Sequence, residues 1–352
     1  MEEKEFQEGD DLWDIIQHIH KTTSKMNYES THFVLGSKFS GKTSLILRFL
    51  DRDESPVPSI ALEYTYGRRT IADSVTRQIC HIWELAGGAA KNYLDMVVVP
   101  LGSGPLKTMS VILVLDLSQP SLLWAVWETA VKELKTVLSE RAKDCTPEEI
   151  ETIKSRITGA YGPEHPDKQL LSPLLTKFVI FGGKYDLFKE LPIEQRTVIC
   201  KTLRFLSHIH GATLQFFTTK SEGLCSRARS LLSHLAFDAP SKPNKTLAVD
   251  PNKPLLVPMA ADTLAQIGAP TFPEDYSQKG VATPKTPLEL WKKSFCAYFP
   301  QESVELDLGL SPSVDPKYSE PKIDTLKAKK DAELQKIIRE RKPVKLLRYS
   351  DT

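Results

Sequence analysis

The chemistry-bearing residues of this chain begin at Gly36. The stretch "GSKFSGKT", Gly36 to Thr43, has the spacing G-x-x-x-x-G-K-[ST], after a strand-like apolar run and before a helical pattern. Its glycines let the backbone curl and aim N–H groups at phosphate oxygens. Lys42 is placed to neutralise β/γ charge, Thr43 offers a hydroxyl to Mg²⁺, and the helix that continues through Ser44 adds a favourable dipole. Gly36, Gly41, Lys42, Thr43 and Ser44 therefore form the candidate phosphate site. Its expected ligand is GDP or GTP with Mg²⁺.

Three further stretches follow in the order of a Ras-like GTPase, each altered. "HIWELAGG" (81–88) stands where such a GTPase has an Asp for Mg²⁺, a Gly that senses the γ-phosphate and a Gln that orients water. Here Glu84 replaces the Asp, Gly87 is kept, and Gly88 replaces the Gln. Asp116, ending "VILVLD", is a rival metal ligand; Glu84 is preferred because its longer side chain can still hold a bound water. "GGKYD" (182–186) sits where N-K-x-D belongs. Asp186 could accept from guanine N1 and N2, and Lys184 could lie along the base. Gly183 has no amide to tie base to loop, so guanine preference should weaken. Thr218, Thr219 and Lys220 resemble the S-A-K loop that contacts guanine O6. Thr65 in "EYTYG" is either a switch threonine or a structural one, the second being favoured. Arg68 and Arg69 read as a solvated turn in preference to a finger supplied in cis. Phosphoryl transfer in this class is positioning plus charge neutralisation, and the water must be oriented. Gly88 has no side chain with which to do so. The expectation is nucleotide binding without turnover: not an enzyme, with no catalytic residue assigned.

The elements that must position these residues alternate strand with helix. Apolar runs at "HFVLG", "ICHIWEL", "SVILVLD", "KFVIFGG" and "ATLQFF" read as strands of a parallel sheet covered on both faces. A helix built on Leu122, Val126, Ala130 and Leu134 covers it, with others over 193–209 and 221–236. The fold class is α/β: a Ras-like P-loop domain with a mostly parallel sheet, then a Pro-rich wrap and a helical C-terminal tail. Residues 1–27 form an N-terminal helical extension, whose Leu12, Ile15, Ile16 and Ile19 make one stripe. The P-loop domain covers 28–238, with a polar insertion at 139–172 holding a short helix around 147–158. Residues 239–352 form the linker and tail. Within the tail, "PLELWKKSFCAYF" (287–299) carries Leu288, Trp291, Phe295 and Tyr298 as one apolar stripe, which either packs back on the domain or binds a partner. Residues 322–341 form a charge-dense helix that needs a partner.

Bulk properties exclude several classes. Among 352 residues, 46 Lys plus Arg nearly cancel 45 Asp plus Glu, so no basic field points to nucleic acid. Five cysteines (Cys80, Cys145, Cys200, Cys225, Cys296) are dispersed, reading as reduced thiols rather than disulfides or zinc ligands. The acidic start "MEEKEFQEGDD" lacks the apolar core of a signal peptide, and the run "VILVL" is too short to span a bilayer. A cytoplasmic protein without membrane insertion is expected.

The set "GSKFSGKTSLILRFLDRDE", "ALEYTYGRR", "WELAGG", "VLVLDLS", "GGKYD" and "HGATLQFFTTKSE" resembles the light intermediate chains of cytoplasmic dynein. The short tail, with "LELWKK" and "DPKYSE", resembles the cytoplasmic dynein 2 form. This resemblance covers nearly the whole chain. It implies a non-catalytic subunit that binds the dynein 2 heavy chain and sits with the other subunits of that complex. It implies service in retrograde intraflagellar transport and cilium assembly, at the cytoskeleton, basal body and axoneme. The tail stripe would then meet a helical segment of the heavy chain. The competing readings are an active Rab-like regulatory GTPase and an ATP-using P-loop enzyme. The second is disfavoured because "GGKYD" and "TTK" have no role in it. The end "LLRYSDT" carries no cysteine for prenylation, which counts against a membrane-cycling GTPase.

Overall fold

The continuous apolar runs become strands buried on both faces. Tyr28–Gly36 (β1) leads through a loop into Lys42–Phe49 (α1); Leu62–Thr70 (β2), Arg77–Leu85 (β3) and Met109–Asp116 (β4) follow. Next come Pro120–Asp144 (α2), Pro147–Tyr161 (α3), Lys177–Gly183 (β5), Tyr185–Phe188 (α4), Ile193–Ile209 (α5), Ala212–Phe216 (β6) and Glu222–Phe237 (α6). Leu256–Val257 (β7), Leu264–Ile267 (α7), Pro287–Tyr298 (α8) and Pro321–Glu340 (α9) complete the set. These come from a computed structural model, which describes residues 28–70, 77–87, 102, 104–162, 164–237, 246–273, 284, 286–301 and 320–340. The expected N-terminal helix, with Leu12, Ile15, Ile16 and Ile19, lies outside the described residues, as does Gly88.

The sheet runs β2-β3-β1-β4-β5-β6-β7, parallel from β3 to β6, with β2 and β7 antiparallel at its edges. Strand alternation sorts the apolar residues into two cores. Phe33, Leu35, Val111, Leu113 and Ile180 face α2 and α5. Val34, Ile112, Val114, Val179 and Phe181 face α1 and α6. β4 is buried at every position, as a central strand covered on both faces must be.

Two boundaries differ from the sequence reading. α2 runs on to Asp144, so the polar stretch from 139 is at first this helix's last turns, with Leu134 and Leu138 still buried. Near its other end a residue from the tail bonds to the first two turns: the Gln301 side-chain oxygen accepts from the Trp124 and Ala125 N–H groups (3.1 and 3.3 Å), and its amide donates to Pro120 O (3.1 Å). α3 starts on a side-chain N-cap, Thr146 accepting from the Glu149 N–H with Pro147 in the first turn.

The second difference is the limit of the domain. The chain divides into two compact units, Met1–Leu306 and Asp307–Thr352, not at 238. β7 adds a strand to the sheet, and α8 packs on α5 and α2. Trp291 stacks on Phe205 with ring centroids 4.6 Å apart and planes at 14°, while Phe295 meets Trp124 at 5.9 Å. Both are buried in the main core, with Leu288 and Tyr298 packed partly against it. Of the two alternatives for the stripe, Trp291 and Phe295 take the first and pack back on the domain, while Leu288 and Tyr298 are only partly covered by it. Two aromatic rings on one helix face gain more from an apolar core within reach than from water, and that core lies on their own domain. In the second unit, α9 keeps Ile323, Leu326, Leu334 and Ile337 exposed. Among the described residues no helix is long and apolar enough to cross a membrane.

Candidate functional site

β1 lies between β3 and β4, where the winding of the sheet reverses; the carboxyl ends of the strands there are the expected ligand crevice of an open α/β sheet. The loop 37–41 leaves β1 at this point and enters α1. Gly36 is compulsory: its φ is +152°, and a Cβ would lie 2.1 Å from the Val114 carbonyl oxygen. Gly41 (φ +97°) and Phe39 (φ +60°) also take positive φ, which turns the chain tightly above the helix start.

Lys42 lies beneath this loop, its ammonium donating to Gly36 O at 3.1 Å and Ser37 O at 2.8 Å. Burial pushes its pKa down to about 8, against the opposing charge of Glu84. Thr43 donates its hydroxyl to Glu84 Oε1 at 2.7 Å, joining α1 to β3. Burial raises the Glu84 pKa, while the Thr43 hydrogen bond and the Lys42 charge oppose that rise. These groups line a cleft of about 240 Å³ with Phe39, Val57 and Gly87.

The rival carboxylate is engaged elsewhere. Asp116 Oδ1 accepts from the Ser118 N–H (3.0 Å) and hydroxyl (2.6 Å), and Oδ2 takes the Lys184 ammonium at 2.7 Å. Glu84, not Asp116, thus stands beside Thr43. Lys184 itself has φ +57°. Asp186 accepts from the Thr218 hydroxyl at 2.7 Å and pairs with Lys220 at 2.6 Å. Burial pushes the Asp186 carboxyl up, but the bonds from Lys220 and Thr218 outweigh it and hold the pKa below the ordinary value. Asp186, Thr218 and Lys220 line a second cleft, of about 370 Å³, with Tyr185 and Arg227. Thr65 sits in the ladder opposite Ile82, as a sheet residue does. Arg68 and Arg69 lie opposite Ile79 and Gln78 in the same ladder, on a strand rather than a turn.

Gly183 is where geometry adds most to the sequence. A Cβ there would lie 2.6 Å from Ser40 O, so the strand end packs directly on the phosphate loop. The position of the missing base-loop Asn holds a backbone-to-backbone contact with no room for a side chain. No spacing rule shows this, nor the Asp116–Lys184 pair. Both arise because β4 and β5 end side by side, with Asp116 opposite Gly183.

For a magnesium nucleotide the donor set fits at the phosphate end. Gly36 and Gly41 shape the cradle, the Ser40 hydroxyl is buried without a hydrogen-bond partner among the described residues, and Thr43 with Glu84 can share one cation. When bound, Mg²⁺ would be held by Thr43 and Glu84 and would supply charge neutralisation for the phosphates. At the base end a base would have to displace the exposed Lys220 ammonium from Asp186, a mostly buried carboxylate that the Thr218 hydroxyl also holds.

Comparison with known proteins places the whole chain. The family model for the dynein light intermediate chain (DLIC) matches residues 7–167. The cytoplasmic dynein 2 light intermediate chain 1 of Bos taurus is 40% identical over 337 residues, covering 92% of this chain and 94% of that protein. The Danio rerio protein of the same name is 39% identical over 350 residues, covering 94% and 95%. The crystal structure of the dynein light intermediate chain's conserved domain shares the fold, with a TM-score of 0.54 at 18% identity, over 82% of this chain and 99% of that one. With such identity sustained over nearly the full length, the chain belongs to the dynein light intermediate chain family, in its cytoplasmic dynein 2 branch.

Proposed function

We propose that the chain is a non-catalytic light intermediate subunit of the cytoplasmic dynein 2 motor. In this reading it binds and stabilises the heavy chain for retrograde intraflagellar transport and cilium assembly, and resides in the cytoplasm, on the cytoskeleton and in the cilium. One observation carries the reading: about 40% identity to light intermediate chains of cytoplasmic dynein 2 along nearly the whole length of both chains. That relatedness favours a motor subunit over a Rab-like regulatory GTPase. A tagged full-length chain expressed in ciliated cells should co-purify the dynein 2 heavy chain. Recovery of the chain free of any dynein subunit would overturn the assignment.

Within that role the phosphate cleft holds guanine nucleotide with Mg²⁺ as a bound structural ligand and does not turn it over. Gly36, Gly41, Lys42, Thr43 and Ser44 hold phosphate, Thr43 and Glu84 hold the metal, and Lys184, Asp186 and Lys220 meet the base. Lys42, Thr43 and Glu84 in one cleft support this. Denaturing the purified chain and resolving its supernatant by anion exchange should release nucleotide, less of it from Lys42→Ala. Equal content in both would refute the site. Rapid unassisted hydrolysis in single turnover, abolished by Lys42→Ala, would refute the non-catalytic reading.

A further inference from the structure

We propose that His165, Asp167 and His208 form a binding site for a transition-metal dication of the zinc type. His165 and Asp167 lie in the loop after α3, and His208 lies in the last turn of α5. One ligand atom from each lies within 4.8 Å of the others. Two imidazoles and a carboxylate make a nitrogen-rich donor set, which suits zinc, cobalt, nickel or copper and not Mg²⁺ or Ca²⁺. Three protein ligands with a fourth position left to water is a common zinc arrangement.

The set is held in place from several elements. His208 Nε2 lies 2.9 Å from Asp167 Oδ2, which also accepts the Leu264 N–H at 2.9 Å from the start of α7. The carboxylate is therefore oriented before any metal arrives. Tyr161 donates its hydroxyl to His208 O at 2.8 Å and meets the His165 ring edge-on at 5.2 Å. The two imidazole rings stand 5.4 Å apart.

Metal–ligand bonds of about 2.0–2.2 Å put tetrahedral ligand atoms roughly 3.3–3.5 Å apart. The His208–Asp167 pair already lies inside that spacing. His165, half-buried on its loop, must close by about 1–1.5 Å at most, given the 4.8 Å limit. Its Nδ1 accepts the Asp167 N–H at 3.2 Å, a long bond that a metal on the same nitrogen displaces. On His208 the single imidazole proton moves from Nε2 to Nδ1 as the metal takes the Nε2 lone pair, with no proton released. Nδ1 is buried with no hydrogen-bond partner among the described residues. Lack of an outer partner costs about 10–100-fold in affinity, so the site binds less tightly than a closed structural zinc site. Its effect is mechanical: metal ties the loop at 165–167 and the start of α7 to α5.

The test titrates Zn²⁺ into the chelator-treated full chain by calorimetry, with excess Mg²⁺ to cover the Thr43–Glu84 position. Co²⁺ absorption is the second readout, because it separates an imidazole–carboxylate site from the five free cysteines, which would add a thiolate charge-transfer band. The expected result is one equivalent of Zn²⁺ whose affinity falls at least about 10-fold in His165→Ala and in Asp167→Asn, with tetrahedral Co²⁺ bands and no thiolate band. The melting temperature should rise with Zn²⁺ in the native chain and not in His165→Ala. His165→Gln, judged by an unchanged circular dichroism spectrum, serves if the alanine variant misfolds. Absence of Zn²⁺ binding, equal binding in all variants, or a thiolate-dominated cobalt spectrum overturns the proposal.

Discussion

Replacing Phe295 by Ala should unfold the domain many degrees earlier, without any partner present. Phe295 is fully buried, with ring contacts to Trp124 at 5.9 Å and Phe299 at 5.0 Å, one turn from Trp291 on Phe205. Truncating a buried Phe to Ala costs roughly 3–5 kcal/mol, the lost transfer energy plus the cavity left behind. That is a large share of a domain stability of about 5–15 kcal/mol. At about 2–4 °C per kcal/mol for a domain somewhat smaller than this one, the melting temperature should fall by roughly 6–20 °C. Adding Trp291→Ala should cost less than the sum of the single changes, since the two rings lie in one packed cluster. The control is Lys292→Ala on the same helix. Lys292 pairs with Glu128 at 2.7 Å, but both are half-exposed, so the loss should be below about 1 kcal/mol. The assay is thermal unfolding of the purified chain followed by circular dichroism. A Phe295→Ala melting temperature close to that of the native chain, together with loss of heavy-chain co-purification, would refute the internal packing argument and restore the stripe to an interface.

Gly183→Asn, which restores the usual base-loop residue on paper, should instead weaken the chain by about 1–3 kcal/mol and lower phosphate affinity, because its Cβ would press on Ser40 O. A gain in guanine affinity with no loss in urea midpoint would show the packing account to be wrong. Nucleotide affinity should fall as pH rises past about 8, where Lys42 loses its charge, and the fall should vanish in Lys42→Arg; a native profile flat well above pH 8 counts against the buried ammonium. Acid should destabilise the fold before carboxylates matter. Burial holds His32 and His210 near pKa 4 against 6.5 when unfolded, so the unfolded state binds more protons and stability drops as pH falls through that window. The loss should reach on the order of 2 kcal/mol for each histidine by pH 5, measured as a urea midpoint, and His32→Asn should flatten the slope. A midpoint unchanged between pH 7 and 5 would remove both imidazoles from the argument.

Much of the fold was legible because local rules suffice for it. Apolar runs such as "SVILVLD" can only be strands covered on both faces, and "GSKFSGKT" between strand and helix implies a phosphate loop. The tail was harder to read. "PLELWKKSFCAYF" has the stripe of a helix that must bury something, and an amphipathic pattern does not say against what. Composition suggested a boundary near 238, since prolines interrupt periodicity there. Yet Leu256 and Val257 add an edge strand, and Gln301 bonds to the first turns of α2, across distances no window of sequence spans.

By itself, then, the sequence determined the strand–loop–helix that would carry phosphate, the alternating α/β order and the candidate residues Lys42, Thr43, Glu84, Lys184 and Asp186. These follow from short-range spacing, backbone freedom at glycine and side-chain periodicity. Tertiary structure alone set which carboxylate stands beside Thr43, because it is strand order that brings β3 beside β1 and places Glu84 2.7 Å from that hydroxyl. The same adjacency of β4 and β5 turned Asp116 toward Lys184. It also decided that Gly183 is a packing requirement rather than mere erosion, and that His165, Asp167 and His208 meet. Such choices depend on which surfaces approach within a few ångströms, and that distance is a property of the packed chain, not of neighbours along it.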